Sequence, residues 1–299
     1  MMSCHWLKQS WVLNNSRREK SQTPTARAVG VFLCRILVAM KGIQKIGLFD
    51  SGLGGLTVLQ ALEERLPGVP KIYYGDTLHL PYGDKSDAAI ISYSTKIVSF
   101  LASEGCNLIV IACNSASAAA GKILESEFPS LKFINVIDPV VAALASGPHE
   151  KVGLLGTRAT VRSGAYPTKL AMLNSSVELC ALATPLLVPL IEDGFLGTGI
   201  ETQVLKHYLD DEMMDGVQAL VPGCTHYPLL EQAAATLLKG VVWIDAPALV
   251  AEAVAVECED QNESTSGTRF YLSDKTPSFL DLATKTFGIM AHWDLKVLD

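Results

Sequence analysis

The sequence predicts an α/β protein of two pseudosymmetric α/β domains with mostly parallel sheets and the active site in the cleft between them. Three observations carry this. The chain has 299 residues, 49% of them hydrophobic, and a net charge of −7, which is length and apolar content for about two domains with real cores. Short continuous apolar runs such as Leu108-Ile109-Val110-Ile111 alternate with helical segments, and such runs suit strands covered on both faces. The succession strand, turn, cysteine, polar residue, helix occurs twice, from Leu108 to Ala120 around Cys113 and from Ala219 to Leu230 around Cys224.

Residues 1 to 39 differ from all that follows, with six basic residues against the single acid Glu19 and an apolar patch from Val29 to Ala39. The basic region is too long for a signal peptide, Arg35 interrupts the apolar run, and a membrane span would need roughly 20 apolar residues. We expect a poorly ordered N-terminal extension, either a tail or an over-extended start, with a regulatory arm as the other reading.

The folded body begins with the strand Ile46 to Asp50, the turn Ser51-Gly52-Leu53-Gly54-Gly55 and a helix to Leu66, stopped by Pro67-Gly68. The spacing is not Gly-x-Gly-x-x-Gly, and Asp50-Ser51 stand where a pyrophosphate would approach. A small anion suits the turn better than a nucleotide, and a plain strand-to-helix turn is the alternative. Lys71 to Asp76 is the next strand, and the loop Thr77 to Lys85 contains Pro81-Tyr82-Gly83. Ser86 caps a helix whose Ile90, Ser94, Ile97 and Leu101 fall at spacings of three and four. Cys113, Asn114 and Ser115 then place a thiol, an amide and a hydroxyl at the carboxyl end of a buried strand, where open α/β sheets bind ligands. Taken alone, such a cysteine reads as inert and structural at least as readily as reactive. Phe133 to Val136 is a further strand, and Ile137-Asp138-Pro139 a crossover.

From Lys151 the order repeats. Val152 to Thr157 matches Ile46 to Ser51, Val177 to Ala183 matches the Tyr73 strand, Gly199 to Met214 the Ile90 helix, and Leu220-Val221 with Cys224 the Cys113 strand. If the two units face each other, one thiol stands on either side of the cleft. A strand from Val241 to Asp245, a helix from Ala248 to Cys258, a polar loop from Gln261 to Thr268, a strand from Arg269 to Ser273 and a helix from Ser278 to Phe287 follow. We expect these to complete the first domain, giving residues 40–136 plus 245–299 for one domain and 137–244 for the other. Trp243 and Trp293 read as packing residues.

The acidic balance argues against nucleic acid as the main partner, because phosphate binding needs a basic face. The seven cysteines (Cys4, Cys34, Cys106, Cys113, Cys180, Cys224 and Cys258) are odd in number, widely spaced and without Cys-x-x-Cys or zinc spacing, which suits a reducing cytoplasm and no metal. No lysine lies within the motifs to anchor pyridoxal phosphate, so no cofactor is expected.

Asp50 to Val58, Pro81-Tyr82-Gly83, Ala112 to Ser117 and Gly223 to Leu230 resemble the motifs of the glutamate racemases, in the cofactor-independent aspartate/glutamate racemase superfamily. The resemblance runs in order from Ile46 to about Phe287, and its departures are the leading segment and Ser115 where threonine is usual. It implies two pseudosymmetric domains, frequent homodimers, and Cys113 and Cys224 as the acid/base pair, with Cys224 serving L-glutamate and Cys113 D-glutamate. Asp50, Ser51, Tyr82, Gly83, Asn114, Ser115, Thr225 and His226 would hold the substrate, and His226 and Glu192 would assist the second thiol. D-Glutamate would go to peptidoglycan.

The chemistry agrees. Inverting a carbon that bears one acidic hydrogen needs a base on one face and a conjugate acid on the other. A free thiol with a pKa of about 8.5 is only a few per cent thiolate at neutral pH, so a neighbour or helix N-terminus must lower that value; His226 and Asp50 are the partners expected. Other readings are racemisation of aspartate or another amino acid, a Cys/His hydrolase or thiol transferase needing one thiol, and a binding protein needing neither.

Overall fold

The computed structural model of the chain describes residue 43 and residues 45–258 and 267–298. The leading segment 1–39, its apolar patch 29–39 and most of the expected loop 261–268 lie outside the described residues.

Among the described residues, ten strands form two sheets. The first has the order β10-β9-β2-β1-β3-β4, with β1 Ile46–Asp50, β2 Lys71–Gly75, β3 Leu108–Ile111, β4 Lys132–Asn135, β9 Arg269–Leu272 and β10 Trp293–Leu295. The second has the order β6-β5-β7-β8, with β5 Lys151–Gly156, β6 Glu178–Ala183, β7 Ala219–Gly223 and β8 Val242–Trp243. All recorded pairings are parallel. The runs that read as doubly covered strands are buried throughout: every residue of β1, β2, β3 and β7 is buried.

Strand side chains alternate between faces, and the cores follow that alternation. Leu48 and Val110 point to one core, Phe49, Ile109 and Ile111 to another. The first of these cores also takes in Val152, Leu154, Ala219 and Val221 of the second sheet, together with Val140 and Val141 and with Val250 and Val254. One continuous apolar core therefore joins the two sheets and sets the angle at which their carboxyl ends converge. A third cluster covers the remaining face of the second sheet.

The helices are α1 Gly55–Arg65, α2 Asp87–Ser103, α3 Asn114–Glu127, α4 Ile137–Ser146, α5 Arg158–Ser163, α6 Ala165–Met172, α7 Leu187–Glu192, α8 Ile200–Leu209, α9 Glu231–Leu237, α10 Ala246–Glu257 and α11 Pro277–Phe287. Ser86 caps α2 by accepting from the Ala89 N–H. Three expectations are corrected. The strand expected over Val241 to Asp245 as part of the first domain is the two-residue β8, which pairs with β7 and so closes the second sheet. The crossover at Ile137-Asp138-Pro139 is itself the start of α4: Asn135 Oδ1 accepts from the Ile137 and Asp138 N–H groups, and Pro139 falls in the first turn, where a missing N–H costs nothing. The helix expected over Gly199 to Met214 stops at Leu209 and resumes as a 3₁₀ turn, Glu212–Met214. There the Asp211 carboxylate takes the Met213 N–H at 2.9 Å, offering the backbone a partner other than the helix. Trp293 is buried against Phe270, with ring centroids 4.6 Å apart. Trp243 is only half-buried and packs beside the third cluster.

Candidate active site

The carboxyl ends of β1, β3, β5 and β7 meet where the two units touch. Asp50 closes β1 and is fully buried. Its Oδ2 accepts the N–H groups of Gly52 at 3.0 Å and Gly55 at 2.9 Å, and its Oδ1 accepts from the Thr225 hydroxyl at 3.3 Å. The anion held by the glycine turn is thus the chain's own carboxylate. A Cβ on Gly54 would lie 2.4 Å from Thr225 Oγ1 and 2.6 Å from His226 Nδ1, so glycine is required because the second unit seats directly on the turn. Gly83 marks a second such approach, since a Cβ there would come within 2.8 Å of the Thr157 side chain.

Cys113 follows β3 at the mouth of α3 and is buried, with Sγ 3.9 Å from the Ser51 hydroxyl, which accepts from the thiol and is free to turn and donate to a thiolate. Burial pushes its thiol pKa well up and the Asp50 charge adds to that rise, against the Ala116 N–H and the Ser51 hydroxyl, which act the other way. The expectation that Asp50 would help to ionise a thiol is therefore corrected. A carboxylate beside a thiol repels the thiolate, and what stabilises a thiolate here is the helix N-terminus and Ser51.

Cys224 follows β7 and is equally buried, but its surroundings differ. Sγ lies 3.8 Å from His226 Nδ1, and His226 Nε2 lies 3.0 Å from Glu192 Oε1 at the end of α7. Burial alone would depress the imidazole pKa, yet the hydrogen bonds to Cys224 and Glu192 outweigh it and hold His226 well above its ordinary value. Glu192, His226 and Cys224 form one line of contacts, with the carboxylate partly exposed and the imidazole buried. A cavity of about 340 Å³ lined by Leu53, Thr77, Leu80 and Phe279 reaches Glu192 from outside.

The substrate-binding candidates gather at the same seam. Tyr82 is buried in the 3₁₀ turn Tyr82–Asp84, and its hydroxyl donates to Asp76 Oδ2 at 2.5 Å while His79 Nδ1 contacts Asp76 Oδ1 at 2.9 Å. The phenol proton is therefore engaged within the first unit. Ser115 Oγ lies 3.0 Å from Thr157 Oγ1 across the interface. Asn114 Oδ1 accepts from the Tyr166 hydroxyl at 2.8 Å, also across the interface.

Asp76, Thr157 and Tyr166 are the neighbours sequence reasoning missed. Thr157 had a signal, since it holds in the second unit the place of Ser51 in the first. Asp76 and Tyr166 had none. Among the described residues, no three of His, Cys, Asp and Glu gather as a metal site, and no helix is long and apolar enough to cross a membrane.

The Asp/Glu/Hydantoin racemase family matches residues 46–254. The glutamate racemase of Aquifex aeolicus is 41% identical over 247 residues, covering 82% of this chain and 94% of that protein. That of Thermus thermophilus is 42% identical over 236 residues, covering 78% and 88%. The crystal structure of the Francisella tularensis glutamate racemase in complex with D-glutamate superposes with a TM-score of 0.79 at 32% identity, covering 86% of this chain and 98% of that one. The resemblance in the motifs thus extends over most of the chain.

Proposed function

The chain belongs to the Asp/Glu/Hydantoin racemase family, and on that premise we propose that it interconverts L- and D-glutamate without a cofactor, with Cys113 and Cys224 as paired acid and base. The observation that carries the reading is the pair of buried thiols at the ends of the equivalent strands β3 and β7, Cys113 beside Ser51 of the glycine turn and Cys224 beside His226. One thiolate takes the Cα proton while the thiol opposite delivers its own. Ser51, the Tyr82-Gly83 turn, Asn114, Ser115, Thr225 and His226 hold the two carboxylates, and N–H groups and hydroxyls offset the charge that develops as Cα is deprotonated. Asp50 acts by fixing the turn and Thr225, and Glu192 by holding His226. Residues 40–136 plus 245–299 and residues 137–244 are the two domains. The enzyme works in the cytoplasm as a homodimer and supplies D-glutamate for peptidoglycan.

The line Glu192, His226, Cys224 is also what a cysteine hydrolase would present, and one experiment separates the two readings. In D₂O, conversion of either enantiomer should place solvent deuterium at Cα of the product while the early substrate pool gains little. Cys113→Ala and Cys224→Ala should each reduce racemisation by at least about a thousandfold, since inversion needs both faces. Substantial racemisation by either variant would sink the two-thiol mechanism, and hydrolysis sustained by Cys113→Ala would favour the other reading.

A further inference from the structure

We propose that Tyr166 is a positioning residue: from the second unit it holds the Asn114 side-chain amide in the one orientation that turns the NH₂ group into the cleft, where a substrate carboxylate needs a donor. The inference rests on the function proposed above.

Tyr166 lies in the first turn of α6, is 1% exposed, and its ring belongs to the core shared by both sheets. The chain enters α6 through Gly164, whose φ of +62° puts it in the left-handed region, a conformation glycine adopts without strain. The ring is therefore held by backbone and core together. Its hydroxyl meets Asn114, the first residue of α3 and the immediate neighbour of Cys113.

An asparagine side chain has one acceptor end and one donor end. With Oδ1 engaged by Tyr166, the NH₂ must face elsewhere. A flipped amide would turn NH₂ toward the phenol, and the phenol proton would lose the acceptor recorded for it in a place closed to water. Such an orphaned buried donor is costly. The phenol also keeps its proton: burial raises its pKa most, and the nearby Cys224 charge and Asp138 add to the rise. The hydroxyl thus stays a donor throughout the working range. Without it, the amide could turn its oxygen toward the substrate carboxylate and repel it.

Tyr166→Phe keeps the ring and removes the hydroxyl. In the full chain, glutamate KM should rise about tenfold in both directions, the value of one buried hydrogen bond, with kcat changed less, and glutamate Kd by calorimetry should rise in parallel. A double-mutant cycle tests the route: Asn114→Ala should weaken binding by itself, and adding Tyr166→Phe should weaken it no further. Asn114→Asp keeps an acceptor for Tyr166 but replaces the NH₂ by a second oxygen, so it should melt like the wild type and bind glutamate worse than Asn114→Ala.

Three results would overturn the inference: a Tyr166→Phe enzyme that melts earlier with KM and Kd unchanged, a full additional loss in the Asn114→Ala background, or wild-type affinity in Asn114→Asp. Binding without turnover by the wild type would refute the racemase reading while the Kd comparison still judged Tyr166. Absence of glutamate binding by the wild type would refute both.

Discussion

Cys113 and Cys224 stand at matching places in two units of the same parallel build, yet their surroundings differ in sign. Beside Cys113 are a buried carboxylate, a serine hydroxyl and a helix N–H, and the balance raises the thiol pKa. Beside Cys224 is an imidazole whose pKa is held well up by its hydrogen bonds to Cys224 and Glu192. Topology places a buried thiol just past the carboxyl end of β3 and another just past that of β7, and local charge then gives each its character. The Cys113 side is furnished to hold a proton, the Cys224 side to stand next to a cation.

Racemisation itself cannot display this difference. Enantiomers in water have equal free energy, so kcat/KM must be the same in both directions at every pH. Elimination of HCl from β-chloroglutamate escapes that constraint, because it is irreversible and needs one base. On the proposed assignment the L-enantiomer reports Cys224 and the D-enantiomer reports Cys113.

The largest effect expected on the comparison is from His226→Asn, which removes the imidazolium. Racemisation should fall by about a hundredfold, in the range for a lost acid/base assistant. Elimination from the L-enantiomer should fall as far, while elimination from the D-enantiomer stays within a few-fold of wild type. Equal losses on both enantiomers would show that the histidine serves the cleft as a whole, and the two sides would no longer be distinct.

Glu192→Gln should act on the same side more gently, about tenfold on the L-enantiomer, since the amide oxygen can still accept from the ring while its charge is gone. Its sharper signature is in pH. His226 has a raised folded-state pKa, so its contribution to stability is complete below the unfolded value of about 6.5 and is lost as pH rises through the folded value. Removing one of the causes that hold that value up moves the loss to lower pH. Melting temperature and L-side elimination should both begin to decline at a lower pH in Glu192→Gln than in wild type. Coincident profiles would mean that Cys224 alone holds the imidazole proton.

These contrasts also explain how far the site could be read in advance. The two cysteines were legible because each ends an apolar strand and the pattern recurs; a strand end is a local feature, and repetition made it visible. Thr157 was half legible, standing in the repeat where Ser51 stands. Glu192 came through resemblance alone, for nothing in Leu187 to Glu192 announces that the end of α7 meets His226. Asp50 was seen but misread, because its effect depends on which N–H groups surround it, and Gly52 and Gly55 claim Oδ2. Tyr166 and Asp76 were silent, since their partners are set by how separate helices and loops approach. Strand β10 has three residues at a sheet edge, too few for any periodicity to show.

The smallest effect, and the one that most sharpens the comparison, belongs to Ser51→Ala. The serine hydroxyl lies 3.9 Å from Cys113 Sγ, a long contact in which it accepts from the thiol; a hydroxyl can turn to donate once the thiolate forms, and in that role it is one of two groups acting against burial and Asp50. Its removal leaves only the Ala116 N–H to favour the thiolate, so Cys113 should become still harder to ionise. Elimination from the D-enantiomer should therefore slow by about two- to fivefold near neutrality, the scale of one modest hydrogen bond, and should recover at higher pH, where thiolate forms without help. Elimination from the L-enantiomer should stay near wild type, because Cys224 has its own partner. A loss that did not recover with pH would make Ser51 a substrate contact alone, and a loss confined to the L-enantiomer would reverse the assignment of the two thiols.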